Sequence, residues 1–252
     1  MRASKELRAN VRVKLEEDRN MKEKAQIQEA ARAIAHGDPL FDFDDKVAPL
    51  HTAVLVIDMQ NDFCAKGGMA DREGFDITPV SAMAARLPAF LSKARASGVL
   101  VIFVRNLYST DRNFYLSDAW LEQAARVRKG SYTLHPVCGP DQWGGAFYGS
   151  LKPELIDPVV TKHRFNAFHN TDLESILRAN AIRTLVFTGC MTNVCVETTA
   201  RDAFMRDYYV IVPSDATGTY IHADHEASLR NIERFFGQVT TIEELENVWT
   251  AQ

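Results

Sequence analysis

From residue 53 onward, apolar residues fall in short continuous runs, each followed by a segment with helical spacing. The runs at 53–57 (Ala-Val-Leu-Val-Ile), 99–104, 159–162, 184–188, 209–212 and 238–241 have the length and β-branched content of strands buried on both faces. Helical patterns follow at 79–97, 117–128, 171–180, from Gly189 past Cys195, and at 223–236. Pro79 suits a first helical turn, and Asn170 or Thr171 suits a cap. This alternation predicts an α/β fold, a three-layer α/β/α sandwich around a mostly parallel six-stranded sheet. No internal repeat, glycine-rich dinucleotide fingerprint, P-loop or His-Glu-x-x-His motif interrupts it.

Residues 1–50 read differently. They are rich in Lys, Arg, Glu and Ala, with no Gly or Pro before Gly37-Asp-Pro39. One or two surface helices are expected, carrying a thin apolar stripe of Leu7, Val11, Val13 and Leu15. A stripe so thin forms no core alone, so these residues are expected to be an arm reaching a neighbouring subunit of a homo-oligomer, a dimer or tetramer. A linker with Phe41 and Phe43 as anchors leads to the main domain, 51–252.

Composition narrows the partners. The 252 residues are 46% apolar and 25% charged, ordinary for one α/β domain with a sizeable core. A net charge of −4 argues against a broad nucleic-acid surface. No apolar stretch approaches the roughly 20 residues of a membrane helix, and the N-terminus has no secretory core. Four cysteines, 64, 138, 190 and 195, do not suggest a disulfide framework. A cytoplasmic enzyme with a small-molecule substrate, and with neither nucleic-acid nor membrane partners, is expected.

Three of the strands stop at a reactive side chain. Asp58 ends the first run and Lys162 the third, while Cys195 follows the fourth, past Gly189, on the first turn of a helix. In an open parallel sheet the carboxyl ends of the strands line the ligand crevice. A helix N-terminus offers free N–H groups and a positive dipole, which would lower the Cys195 pKa toward the thiolate. Taken singly, each has a plainer explanation: a buried structural thiol, a turn-forming acid, a solvated lysine. Together they make a workable constellation. Asp58 takes the thiol proton and later delivers it to a leaving amine, and Lys162 keeps Asp58 ionised.

Val56-Ile-Asp58-Met-Gln60-Asn-Asp-Phe63, Lys162 with Phe165-Asn-Ala-Phe168, and Gly189-Cys-Met-Thr192-Asn-Val-Cys195-Val-Glu-Thr-Thr199-Ala-Arg-Asp202 resemble the isochorismatase-like cysteine hydrolases, over about residues 50 to 245. The resemblance implies that Asp58 is the proton shuttle, Lys162 its electrostatic partner and Cys195 the nucleophile. It also implies a cis peptide just before Met191, with the Met191 and Cys195 N–H groups forming an oxyanion hole, and no cofactor. Leu107 to Arg128 contains no His, unlike the metal-carrying nicotinamidases, so no metal site is expected. Isochorismatases proper lack the cysteine. Segments 165–178 and 231–237 look most like ureidoacrylate and biuret hydrolases, implying cleavage of a C–N bond in a small carbamoyl or ureido compound through a thioester. Ureidoacrylate, biuret, triuret or an N-carbamoyl acid would serve. Asn106, complementary to a urea edge, is the expected substrate contact together with Gln60, Phe63, Phe165 and Tyr220. That branch carries a His-Gln pair after Asp-Ala-Thr; here Asp215-Ala-Thr217 is followed by Gly218-Thr219-Tyr220, which favours a different carbamoyl substrate. A nicotinamidase or maleamate type of amidase and a non-catalytic member are the alternatives. The long loop 130–158, with Trp143, Phe147 and Tyr148, is either a lid or a satellite cluster packed beneath itself.

Overall fold

The computed structural model describes residues 2–108 and 113–251, with the backbone alone at 2–13, 15, 16 and 18. The stripe of Leu7, Val11, Val13 and Leu15 therefore lies outside the described side chains. The chain divides into two compact units at Lys46–Val47. In the first, one long helix, α1 (Arg2–Ile34), is followed by the short α2 (Phe43–Lys46). The Arg32 guanidinium lies over the Phe41 ring at 4.9 Å.

The second unit is the expected α/β sandwich. Its sheet opens with β1 (Thr52–Ile57), buried at every position. Two short helices follow, α3 (Asn61–Cys64) and α4 (Met69–Glu73). The helix expected at 79–97 is two, α5 (Thr78–Ala84) and α6 (Leu87–Ala96). Pro88 explains the break, because it has no N–H to continue the ladder and its ring clashes with the preceding turn. Then come β2 (Leu100–Asn106), α7 (Asp118–Val127) capped by the Ser117 side chain, β3 (Val159–Lys162) and α8 (Leu173–Ala179). The wholly buried β4 (Thr184–Cys190) runs into a π turn, Thr192–Val196, and α9 (Glu197–Met205). The unit closes with β5 (Tyr209–Pro213), β6 (Thr217–Gly218), α10 (His222–Phe235), β7 (Gln238–Thr240) and α11 (Ile242–Thr250).

All strand pairs are parallel, in the order β3-β2-β1-β4-β5-β7. The sheet has seven strands where six were expected. The seventh, β6, pairs two residues with the very end of β4, too short a run to carry a pattern. Leu55, Ile57, Leu185 and Phe187 from the two central strands are fully buried in the core. Each contributes roughly 1.5–3 kcal/mol by leaving water. Trp249 of α11 ties the far end, donating from Nε1 to Val47 O at 2.8 Å and stacking on Phe90.

The functional consequence lies in the strand order. The chain leaves β1 toward β2 and β3, and leaves β4 toward β5 and β7, so β1 and β4 form the switch point of the sheet. A crevice opens at the carboxyl ends of such a pair. Ile57 is in register with Gly189 there, bringing the residues just beyond each strand together.

Candidate active site

Local backbone shape aims the side chains. Asp58 takes a left-handed conformation, φ 54°, with its N–H bonded to Val104 O at 2.9 Å. Asp is among the few residues that accept this region at low cost. Gly189, at φ +100°, passes so close to β1 that a Cβ would stand 2.1 Å from Ile57 O. Only glycine fits, and it turns the chain into the Cys190–Met191 bond, which is cis as the resemblance implied. Cys195 follows in the π turn. Thr199 holds that turn, donating its hydroxyl to Cys195 O at 2.6 Å and accepting from the Ala167 N–H at 3.1 Å. The Thr219 hydroxyl donates to Asn193 Oδ1 at 2.8 Å from the opposite side.

Asp58, Lys162 and Cys195 meet, all buried. Lys162 Nζ lies 2.8 Å from Asp58 Oδ2 and also donates to Asn106 Oδ1 at 3.0 Å and to Arg164 O at 3.1 Å. Its three protons are thus all engaged. Asn106 Nδ2 donates to the same Asp58 Oδ2 at 2.8 Å. Asp58 Oδ1 is buried with no hydrogen-bond partner of full geometry among the described residues, yet the Cys195 thiol is near enough to perturb both Asp58 and Lys162. Burial raises the Asp58 carboxyl above its ordinary value, while Lys162 most strongly, then Cys195 and Asn106, offset part of the rise. Burial alone would lower Lys162, but the facing Asp58 and Cys195 hold it above the ordinary lysine value.

The thiol departs from expectation. Burial pushes Cys195 up to about 12 and the Asp58 charge adds to this, against the lowering effect of Lys162. A pre-formed thiolate, as the helix start suggested, is not what the site holds. The π turn sits inside the protein, where loss of hydration outweighs the dipole. The resting charges are an ammonium, a carboxylate of raised basicity, and a neutral S–H.

A cavity of about 30 Å³ adjoins the thiol. Asp58, Phe63, Asn106, Phe165, Met191, Cys195 and Tyr220 all line it. One expected substrate contact is spent elsewhere. The Gln60 amide does not line the cavity: Nε2 donates to Asn106 O at 2.9 Å and Gly145 O at 2.8 Å, and Oε1 accepts from the Asn106 N–H at 2.8 Å. Gln60 positions Asn106. The Asn106 carboxamide binds Asp58, Lys162 and the Tyr108 hydroxyl, the last at 3.3 Å, so it clamps the ion pair while also lining the cavity. Tyr220 presents its ring, since its hydroxyl donates to Phe63 O at 3.0 Å.

The aromatic residues of the loop 130–158 differ from one another in their surroundings. Phe147 meets the Phe103 ring edge-on at 5.3 Å, the Tyr148 N–H donates to Met59 O, and Trp143 is exposed. None of the three lines the cavity. Asp62 anchors this loop, accepting from the Cys138 N–H at 2.7 Å and the Met69 N–H at 3.0 Å. Gly144 lies against Asp62, leaving no room for a Cβ.

Met69, Arg128, Tyr132 and Val194 also line the cavity, and sequence reasoning missed them. Val194 was signalled by sitting one position before Cys195. The others come from α4, the end of α7 and the following loop, with nothing in the primary structure to join them. Among the described residues no three His, Cys, Asp or Glu side chains cluster so as to hold a metal ion, and no helix is long and apolar enough to cross a membrane.

The model of the Isochorismatase domain matches residues 52–244. The chain is 39% identical over 201 residues to the ureidoacrylate amidohydrolase RutB of Methylorubrum extorquens, covering 76% of this chain and 79% of that one. It is 38% identical over 213 residues to the RutB of Serratia proteamaculans, covering 81% and 85%. Among solved structures it resembles a cysteine hydrolase from Pseudomonas syringae pv. phaseolicola, with a TM-score of 0.70 and 29% identity, covering 85% of this chain and 99% of that one. On the matched domain, the shared fold and the similarity of sequence, the chain belongs to the isochorismatase family.

Proposed function

We propose that Cys195, Asp58 and Lys162 are the nucleophile, proton shuttle and electrostatic anchor of an enzyme cleaving a C–N bond in a small carbamoyl or ureido compound. The chain is a hydrolase of amide C–N bonds, like the ureidoacrylate amidohydrolases to which it is similar. The finer reading rests on one observation. A buried carboxylate carries its ammonium and its carboxamide on Oδ2 and leaves Oδ1 unpartnered beside a buried thiol.

The reaction follows from that arrangement. A thiol held at about 12 does not ionise alone at neutral pH, so its proton passes to Asp58 Oδ1 as sulfur bonds to the carbonyl carbon. Burial makes this carboxylate more basic than an exposed one, which suits a general base. The oxygen of the tetrahedral species takes its hydrogen bonds from the Met191 and Cys195 N–H groups; each such donor is worth roughly 10²–10³ in turnover. Asp58 then gives the proton to the departing nitrogen, ammonia or an amine leaves, and a thioester remains on Cys195. Water adds to that carbon and yields its proton to Asp58. The second tetrahedral species collapses, releasing the acid, and the proton returns to sulfur. Lys162 remains cationic throughout, opposing the charge that develops at sulfur and oxygen.

A screen for ammonia release tests this reading, run across ureidoacrylate, biuret, triuret, N-carbamoyl amino acids, maleamate and nicotinamide, with Cys195→Ala as the blank. Turnover of a carbamoyl compound, absent in the blank, is the expected result. Hydrolysis surviving in Cys195→Ala would end the covalent scheme.

A further inference from the structure

The cavity beside Cys195 has a cationic wall that the reaction does not use. Arg128, the residue after α7, lines it. Its Nη1 donates to Glu73 Oε2 at 3.2 Å. A guanidinium and a carboxylate that meet freely pair through two parallel bonds. Here the pairing has one arm, and each partner keeps an orphan: Arg128 Nε and Glu73 Oε1 are both buried with no hydrogen-bond partner among the described residues. The Glu73 side chain is 4% exposed and that of Arg128 18%. Glu73 is not part of the cavity wall. It holds the guanidinium from outside the wall, and among the residues of that wall the only carboxylate is that of Asp58, already held by Lys162 and Asn106.

We propose that Arg128 is the specificity-determining residue of this site and binds a carboxylate on the substrate, at the end remote from the carbon that Cys195 attacks. The inference rests on the reading of Cys195 as the attacking atom and names the substrate class within it: carbamoyl compounds that carry an acid, rather than neutral urea oligomers. The rest of the wall supports the division of labour. Phe63, Met69, Tyr132 and Phe165 offer mainly rings and a thioether, which suit a flat uncharged middle. The planar fork of donors on Arg128 matches the two oxygens of a carboxylate. Glu73 holds the fork in orientation, so little side-chain freedom is lost when the anion arrives.

N-iodoacetylglycine and N-iodoacetylglycinamide test the proposal, because they deliver the same reactive carbon to Cys195 and differ only in the charge at the remote end. Second-order rates of alkylation at Cys195, read by peptide mass, are compared for the unaltered protein, Arg128→Gln, Arg128→Lys and Glu73→Gln. A charge-assisted bond of ordinary strength predicts that Arg128→Gln lowers the acid-to-amide ratio of these rates by about tenfold or more. Arg128→Lys should restore part of the ratio, and Glu73→Gln, which removes the competing anion, should raise it. A ratio unmoved by both Arg128→Gln and Glu73→Gln overturns the proposal, as does a KM for an N-carbamoyl acid that rises no more than that for its carboxamide when Arg128 becomes Gln. Failure of the catalytic reading looks different: Cys195 would then alkylate no faster than the other cysteines, or the ammonia screen would stay blank.

Discussion

Asn106 Nδ2 donates to Asp58 Oδ2 at 2.8 Å, the same oxygen that receives the Lys162 ammonium. Both contacts fall on one side of the carboxylate and leave Oδ1 for the thiol. The asymmetry has a scaffold behind it. Asn106 ends β2, Gln60 holds its backbone N–H and C=O together, and Lys162 stands opposite it in the parallel register of β3.

Asn106→Asp places a second carboxylate beside Asp58 and removes the N–H donor. Both changes favour the protonated form of Asp58, whose carboxyl already lies above the ordinary value. The acidic limb of kcat/KM against pH is expected to move upward, with turnover at neutral pH lower by about 10- to 100-fold. A pH profile superimposable on that of the unaltered enzyme would show that Asn106 has no hold on the base.

Asp58→Asn separates the thiolate from the base. The Asp58 charge is one of the influences holding Cys195 at about 12, second to burial, and Lys162 alone would pull it down. The variant's thiol should therefore ionise at a lower pH than 12, followed by thiolate absorbance in the ultraviolet. Turnover should nevertheless nearly vanish, because nothing remains to carry the proton to the leaving nitrogen. A variant with an unshifted thiol, or with most of its activity, contradicts the assigned roles.

Lys162→Met leaves the buried Asp58 charge without its counter-ion. Removing one partner of such a pair costs about 3–5 kcal/mol, read as a fall in the denaturant midpoint near neutral pH. The pH dependence has a definite sign. Lys162 lies above its ordinary 10.5 in the folded protein, so its contribution is complete below that value and is lost as pH climbs through the folded one. The stability gap between the two proteins should be full near neutrality and narrow in alkali above 10.5. A gap that widens there would reverse the argument.

Much of this protein was legible in one dimension. Runs such as Ala53–Ile57 and Thr184–Thr188 are apolar or β-branched at every position because a parallel sheet is covered on both faces, and that requirement is written locally. Asp58, Lys162 and Cys195 were visible because Asp58 follows β1, Lys162 ends β3 and Cys195 lies in the turn after β4, and strand ends in such a sheet converge by topology alone. Interruptions with local causes, such as the turn at Gly189, were legible too. The break before Pro88 was equally local but was read as one continuous helix.

The tertiary structure decided what depends on sums over distant neighbours. Gln60 looked like a substrate contact because its amide could pair with a urea; in three dimensions that amide is already spent on Asn106 and Gly145, and the Asn106 amide holds Asp58 and Lys162 as well as lining the cavity. Cys195 looked poised to ionise because a helix begins beside it, yet its surroundings remove the water that a thiolate needs. Arg128 and Tyr132 had no signal at all, since their place in the wall depends on how the chain after α7 folds back over the crevice. Chain order carries residue type and local period, whereas hydration and the remaining hydrogen-bonding capacity of a group exist only once every neighbour is in place.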